Sequence, residues 1–375
     1  MTKVSLVKCP TYDYNKVKAA LKKSITLAGG IKTIKKGDKV LLKVNLLKAR
    51  KPEDALTTHP AIVKAVSEQI LDLGATPLVG DTQNTQMDKG LSSLKVSGIK
   101  SVSDQLKIRA VDFKDRGFKQ VKVPKAAQMK KLWLAKDILD ADVIISLPKM
   151  KTHILTGYTG AVKNFFGCIP FGERMKAHVL GKDELFSEVL SDIYSVIKPS
   201  FCIMDGITGM EGDGPSYGDI RNFNLIAASS DCVSLDAVCS NLMGFKQIST
   251  VKVAEKRGLG TADLNKIQII GDKIEPFTIK MPSQNMKKSQ SFASLIPGPI
   301  KNYLAKTLLR FEPRVDESKC KKCAVCVKAC PARAITMKNY PQFDRNKCIK
   351  CFCCHELCPE GAIYTHKSWL ARHWR

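Results

Sequence analysis

Short unbroken apolar runs alternate with stretches in which apolar positions recur every three or four residues, from the N-terminus to about residue 280. KVLLKVNLL (39–47) is such a run, the pattern of a strand covered on both faces of a parallel sheet. THPAIVKAVSEQILDLGA (58–75) follows with a helical rhythm. Thr58 or His59 stands as its N-cap, Pro60 opens its first turn and Gly74 marks its stop. TPLVGD (76–81) is the next strand, which completes a strand–helix–strand unit. DVIISLPKMKTH (142–153), FCIMDGITGM (201–210), FNLIAASS (223–230) and KIQIIGD (266–272) predict further strands. FSEVLSDIYSVIK and SLDAVCSNLMGF supply helices between them. Residues 1–280 are therefore expected to form an α/β domain on a largely parallel sheet.

The pattern changes over residues 281–314, whose Ser, Pro and Gly content marks a linker. Within it IKNYLAKTLLRF (300–311) has an amphipathic helical rhythm, expected to pack between two units, with peripheral contact at a membrane surface as the alternative. Residues 315–375 form a second, small unit ending in the basic tail HKSWLARHWR. No run approaches the length of a transmembrane helix and the start carries no signal-peptide pattern, so the chain reads as cytoplasmic.

Composition adds two facts. The formal charge is +26, with the lysines spread along the chain; such a field favours an acidic partner. Nucleic acid is not the expected one, because neither a recognition-helix pattern nor an RNP-like aromatic run accompanies the charge. Of fourteen cysteines, nine crowd between Cys320 and Cys358, and in a reducing compartment such crowding favours metal over disulfides.

Cys320, Cys323, Cys326 and Cys330, followed by Pro331, spell C-x2-C-x2-C-x3-C-P. Cys348, Cys351, Cys354 and Cys358, followed by Pro359, repeat it 28 residues later. This is the bacterial two-cluster ferredoxin spacing, in which the fourth cysteine of each run serves the other cluster. Cys320, Cys323, Cys326 and Cys358 are thus assigned to one [4Fe–4S] cluster, and Cys348, Cys351, Cys354 and Cys330 to the other. Structural zinc ordinarily takes two CxxC pairs parted by a longer loop. Cys353 is surplus to this set and is expected to pack beside a cluster.

The α/β part has one stretch dense in polar chemistry, LPKMKTHILTGYTGAVKNFFGCIPFGERMKAH (147–178). Lys149, Lys151 and His153 leave a strand, a turn at Gly157, Thr159 and Gly160 follows, and Lys163 and Asn164 open a helix, with Arg174 and His178 downstream. Ligands of open α/β sheets sit beyond the carboxyl ends of the strands, and a helix N-terminus offers N–H groups to an anion. Lys43 and Asn45, polar near the end of an apolar strand, are expected to face the same crevice. DGITGMEGDGP (205–215) reads as a Gly-rich loop with Asp205, Glu211 and Asp213, of which Glu211 is the candidate acid or base. The expected ligand is an anionic small molecule bearing phosphate or carboxylate. Neither a Walker phosphate loop nor HExxH occurs, and GLGTAD (258–263) falls short of the dinucleotide fingerprint.

KVNLL, THP (58–60), the block LPKMKTHILTGYTGAVKNFFG and the DGITGMEGDGP loop together resemble the domain of unknown function 362, here joined to a two-cluster ferredoxin unit. Proteins of that family are described as iron–sulfur cluster-binding or ferredoxin-like, mostly in anaerobic bacteria and archaea. The resemblance implies cluster ligation at the eight cysteines and a shared site at Lys149, Lys151, His153, Lys163 and Asn164; it names no substrate. Two functions are consistent with these residues. One is an oxidoreductase that passes electrons to a molecule in a basic pocket; the other is an electron carrier or adaptor that docks an acidic flavodoxin- or ferredoxin-like partner.

Overall fold

The structure is a computed structural model and describes residues 1–83, 92–180, 183–283 and 311–368. The amphipathic stretch of the linker, apart from Phe311, and the basic tail from residue 369 lie outside the described residues. In chain order the strands are β1 (Thr2–Lys8), β2 (Lys39–Val44), β3 (Thr76–Asp81), β4 (Arg109–Asp112), β5 (Phe118–Lys122), β6 (Lys131–Ala135), β7 (Val143–Leu147) and β8 (Lys149–His153). β9 (Gly157–Thr159), β10 (Phe201–Glu211), β11 (Asp219–Ser229) and β12 (Ile267–Gly271) complete the α/β part.

Ten of these strands make one sheet, ordered β12-β1-β11-β10-β7-β2-β3-β4, with β8 paired to β10 and β9 paired to β8. β10, β7, β2, β3 and β4 run parallel in that order. Antiparallel β11 sits between β10 and β1. The continuous apolar reading of β2 follows from its two covered faces. Val40, Leu42 and Val44 pack with the helices Tyr14–Leu27 and Pro60–Asp72, whereas Leu41 faces the opposite layer with Asp183–Ile197 and Cys232–Leu242. Helix Pro60–Asp72 starts as its sequence predicts: the His59 side chain accepts from the Ala61 N–H at 3.1 Å and Pro60 occupies the first turn.

Two expectations are corrected. DVIISLPKMKTH is two strands, not one: Pro148 ends β7, and β8 moves over to pair with β10 and β9. Part of DGITGMEGDGP is strand, not loop, because β10 runs on to Glu211. Its glycines serve close approach: a Cβ at Gly209 would lie 2.1 Å from the Met150 carbonyl oxygen, and one at Gly206 would lie 2.9 Å from that of Leu225.

The C-terminal unit pairs β13 (Phe311–Val315) with β16 (Ile363–Lys367) and β14 (Ile335–Met337) with β15 (Pro341–Phe343), around the short helices Val325–Lys328 and Cys353–Leu357. Its halves repeat in backbone as well as sequence. Lys322 and Lys350 both have φ 56°, and Ala324 and Phe352 have φ 58° and 57°. The Cys320 and Cys348 N–H groups donate to the Asp316 and Asp344 carbonyls at 3.2 and 3.0 Å. Among the described residues no helix is long and apolar enough to cross a membrane.

Candidate functional site

The repeat brings the eight ladder cysteines together as two sets of four. Cys320, Cys323, Cys326 and Cys358 line one cavity, and Cys330, Cys348, Cys351 and Cys354 line another, each about 320 Å³ with its mouth included. The fourth cysteine of each run crosses to the other set. Cys330 Sγ accepts from the Ala334 N–H and Cys358 Sγ from the Ala362 N–H, both at 3.2 Å. N–H donors aimed at sulfur suit a thiolate ligand. Burial, followed by the neighbouring Cys358 thiol, pushes the Cys326 thiol up to about 11, so that thiol is protonated at neutral pH when it is free. The donor set, the cavities and the N–H···S bonds fit iron–sulfur cubanes.

A third cavity lies where the two units meet, about 730 Å³ with its mouth. Its α/β wall carries Asn45, Asp81, Lys151, Lys163, Arg174 and His178; its other wall carries Cys353, Glu356 and Leu357. Cys353 and Leu357 also pack against Phe171 and Met175, so the helix Phe171–Val179 helps seat the C-terminal unit. Lys151 is fully buried and donates to Asn45 Oδ1 and the Leu56 carbonyl, both at 2.7 Å. Burial, then the Lys163 and Lys149 charges, lower it to about 7. Burial likewise lowers Lys163 and Arg174. His178 stacks on Phe186 at 4.7 Å between ring centres and leaves its Nδ1 without a partner among the described residues. Burial holds it down to about 4, so it is neutral.

Lys43 stands behind this wall. Its ammonium is 2.9 Å from Asp81 Oδ1 and 2.7 Å from the Val44 carbonyl, and Asn164 Nδ2 donates to the Lys43 carbonyl at 2.9 Å. Gly167 is what lets the next loop cover the pair, for a Cβ there would sit 2.3 Å from Asp81 Oδ1. His153 is buried just beyond the wall. Its Nδ1 accepts the Leu155 and Thr156 N–H groups at 3.0 and 3.3 Å, which leaves the ring proton on Nε2, 3.8 Å from Glu356 Oε2.

Lys43 and His153 thus stand off the cavity lining, contrary to expectation, and three further predicted site residues lie away from it. Lys149 is fully buried elsewhere, 3.0 Å from Asp205 Oδ2 and 2.6 Å from Tyr12 Oη. Glu211 ends β10 and accepts from the Lys280 N–H at 3.4 Å. Gly160 starts the helix Ala161–Asn164, whose N-terminus already holds an internal carboxyl group, one that burial raises to about 7. Asp236 accepts from the Ala161 and Val162 N–H groups at 2.7 and 2.9 Å. A Cβ at Gly160 would fall 2.0 Å from Asp236 Oδ1. Gly160→Ala is therefore expected to destabilise the fold by roughly 1–3 kcal/mol, read as a lower urea midpoint at unchanged slope. A midpoint equal to the parent's would show that this helix start yields freely.

Comparison with known proteins places this architecture. The family described as "Domain of unknown function (DUF362)" matches residues 40–241, and a 4Fe-4S binding domain matches residues 313–336. The chain belongs to the DUF362 family. A thylakoid-associated protein of Synechocystis is 34% identical over 262 residues, covering 68% of this chain and 79% of that one. The lactate racemase apoprotein of Thermoanaerobacterium thermosaccharolyticum shares 13% identity with a TM-score of 0.41, over 66% of this chain; the chain spans only 58% of that structure. The DUF362 match takes in every α/β residue on the cavity wall, and the 4Fe-4S match takes in the first ladder.

In this DUF362 protein the cavity wall gathers Asn45, Lys151, Lys163 and Asn164, which the sequence pattern singles out, with Asp81 and Glu356, which it does not. Asp81 ends the strand TPLVGD, where an acidic residue passes for ordinary turn chemistry. Glu356 sits inside the second ladder, where the cysteines explain the whole segment. Only the packing of the two units sets them on one cavity.

Proposed function

We propose that this protein is an iron–sulfur oxidoreductase with two [4Fe–4S] clusters, one on Cys320, Cys323, Cys326 and Cys358 and the other on Cys330, Cys348, Cys351 and Cys354. Bound clusters supply one-electron transfer. The cavity between the units holds an anionic small molecule as acceptor. Lys151, Lys163 and Arg174 bind its charge and Asn45 orients Lys151. The observation that carries this reading is the place of Cys353: it lies on the cavity wall and, in sequence, between two of the four thiols around the neighbouring cavity. A molecule seated there would touch the residue next in sequence to Cys354, one of the proposed cluster ligands.

The carrier reading draws on another feature. Lys319, Lys321, Lys322 and Lys328 are exposed around Cys323, the most open of the ladder thiols. An acidic one-electron carrier would meet that face, either as donor for chemistry in the cavity or as the final acceptor.

Oxygen-free purification decides between them. The expected yield is about eight iron and eight sulfide per chain, as two cubanes require, together with a co-purifying anion identified by mass spectrometry. Lys163→Met should lose that anion while keeping its iron. Because Lys151 is a cation only below about 7, retention of the anion should fall as the buffer is raised from pH 6 to pH 8. Zinc in place of iron, or a colourless protein after reconstitution, would end the redox reading. Full iron with no anion under any condition would leave the carrier.

A further inference from the structure

The two halves of the C-terminal unit repeat one another, yet the α/β unit touches them unequally. The Cys358 carbonyl accepts from Lys48 Nζ at 3.0 Å and from the Tyr217 hydroxyl. Lys48 also donates to Tyr217 Oη at 3.0 Å, with its ammonium 4.5 Å from that ring's centre. Arg50 donates to the Pro359 carbonyl at 3.0 Å. Gly361, on the next turn, lies so near Tyr217 that a Cβ there would be 2.7 Å from Cε1 of the ring. The carbonyl related to that of Cys358 by the repeat belongs to Cys330, and it accepts from the Arg333 backbone N–H at 3.1 Å. One half thus meets a buried ammonium, a guanidinium and a phenol where its twin meets a peptide dipole.

We infer that Lys48, Arg50 and Tyr217 are positioning residues that raise the reduction potential of the cluster on Cys320, Cys323, Cys326 and Cys358. The inference rests on the reading that a cluster is held there. Reduction adds one electron and no proton, so the site becomes more negative by one charge. A cation fixed against a ligand's own carbonyl lowers the cost of that charge, and burial of Lys48 keeps water from screening it. The α/β unit thereby makes two clusters of one sequence motif unequal.

The test is an EPR-monitored redox titration of the full chain, reconstituted without oxygen. The Cys330→Ala protein, which keeps the cluster of interest, assigns the two midpoints. Lys48→Met is expected to cut the reduced-to-oxidised ratio of that cluster about tenfold at fixed poise, a midpoint lower by about 59 mV for a one-electron couple. Lys48→Arg should keep most of the parent value, and the other cluster should move much less. If Lys48→Met loses iron, Arg50→Gln and Tyr217→Phe serve instead, with smaller shifts in the same direction. Equal shifts at both clusters, or no shift in variants with full iron, would overturn the inference. A parent chain that binds no iron would instead overturn the cluster reading itself.

Discussion

Cys358→Ala should abolish the cluster of the first ladder and spare that of the second, although Cys358 belongs to the second by sequence. Cys330→Ala should do the converse. The reason is the crossing of the fourth cysteines: Cys358 shares its cavity with Cys320, Cys323 and Cys326, and Cys330 shares its own with Cys348, Cys351 and Cys354. Iron should drop from about eight to about four per chain in either variant. A second mutation tells the arrangements apart. Adding Cys320→Ala to Cys358→Ala should cost no further iron, whereas adding Cys348→Ala should remove the rest. If each ladder instead served its own cluster, these two outcomes would be exchanged.

That crossing was legible in the sequence because it depends on local spacing and a backbone repeat. The α/β layers were legible for a similar reason, since Leu41 and Leu42 must face opposite helical layers whatever the chain does elsewhere. The cavity was legible only in part. Lys151, Lys163 and Asn45 announced themselves as polar groups at strand and helix ends. Lys149 had the same appearance, two residues from Lys151 on one strand. What separates them is register: β8 sits beside β10 with Lys149 opposite Asp205, a pairing that arises from strands over fifty residues apart. The Gly160 turn shows the same limit. Its helix N-terminus has the form of an anion site, but Asp236, from a helix far along the chain, already fills it.

Lys149→Met tests whether that residue belongs to the fold or to the site. Lys149 and Asp205 are both fully buried and 3.0 Å apart, and Asp205 also accepts from Tyr12 Oη at 2.7 Å and the His59 N–H at 2.9 Å. Burial lowers the Lys149 ammonium, and Asp205 opposes that fall. Removing the cation leaves Asp205 buried with two neutral donors, and a broken buried pair costs about 3–5 kcal/mol. The expected result is a large fall in the denaturant midpoint, with the anion proposed for the cavity still bound by the fraction that is folded. Adding Asp205→Leu removes the stranded charge and should recover part of the loss. A Lys149→Met protein of parental stability that no longer retains the anion would return Lys149 to the site and show that the ion pair opens to admit the ligand.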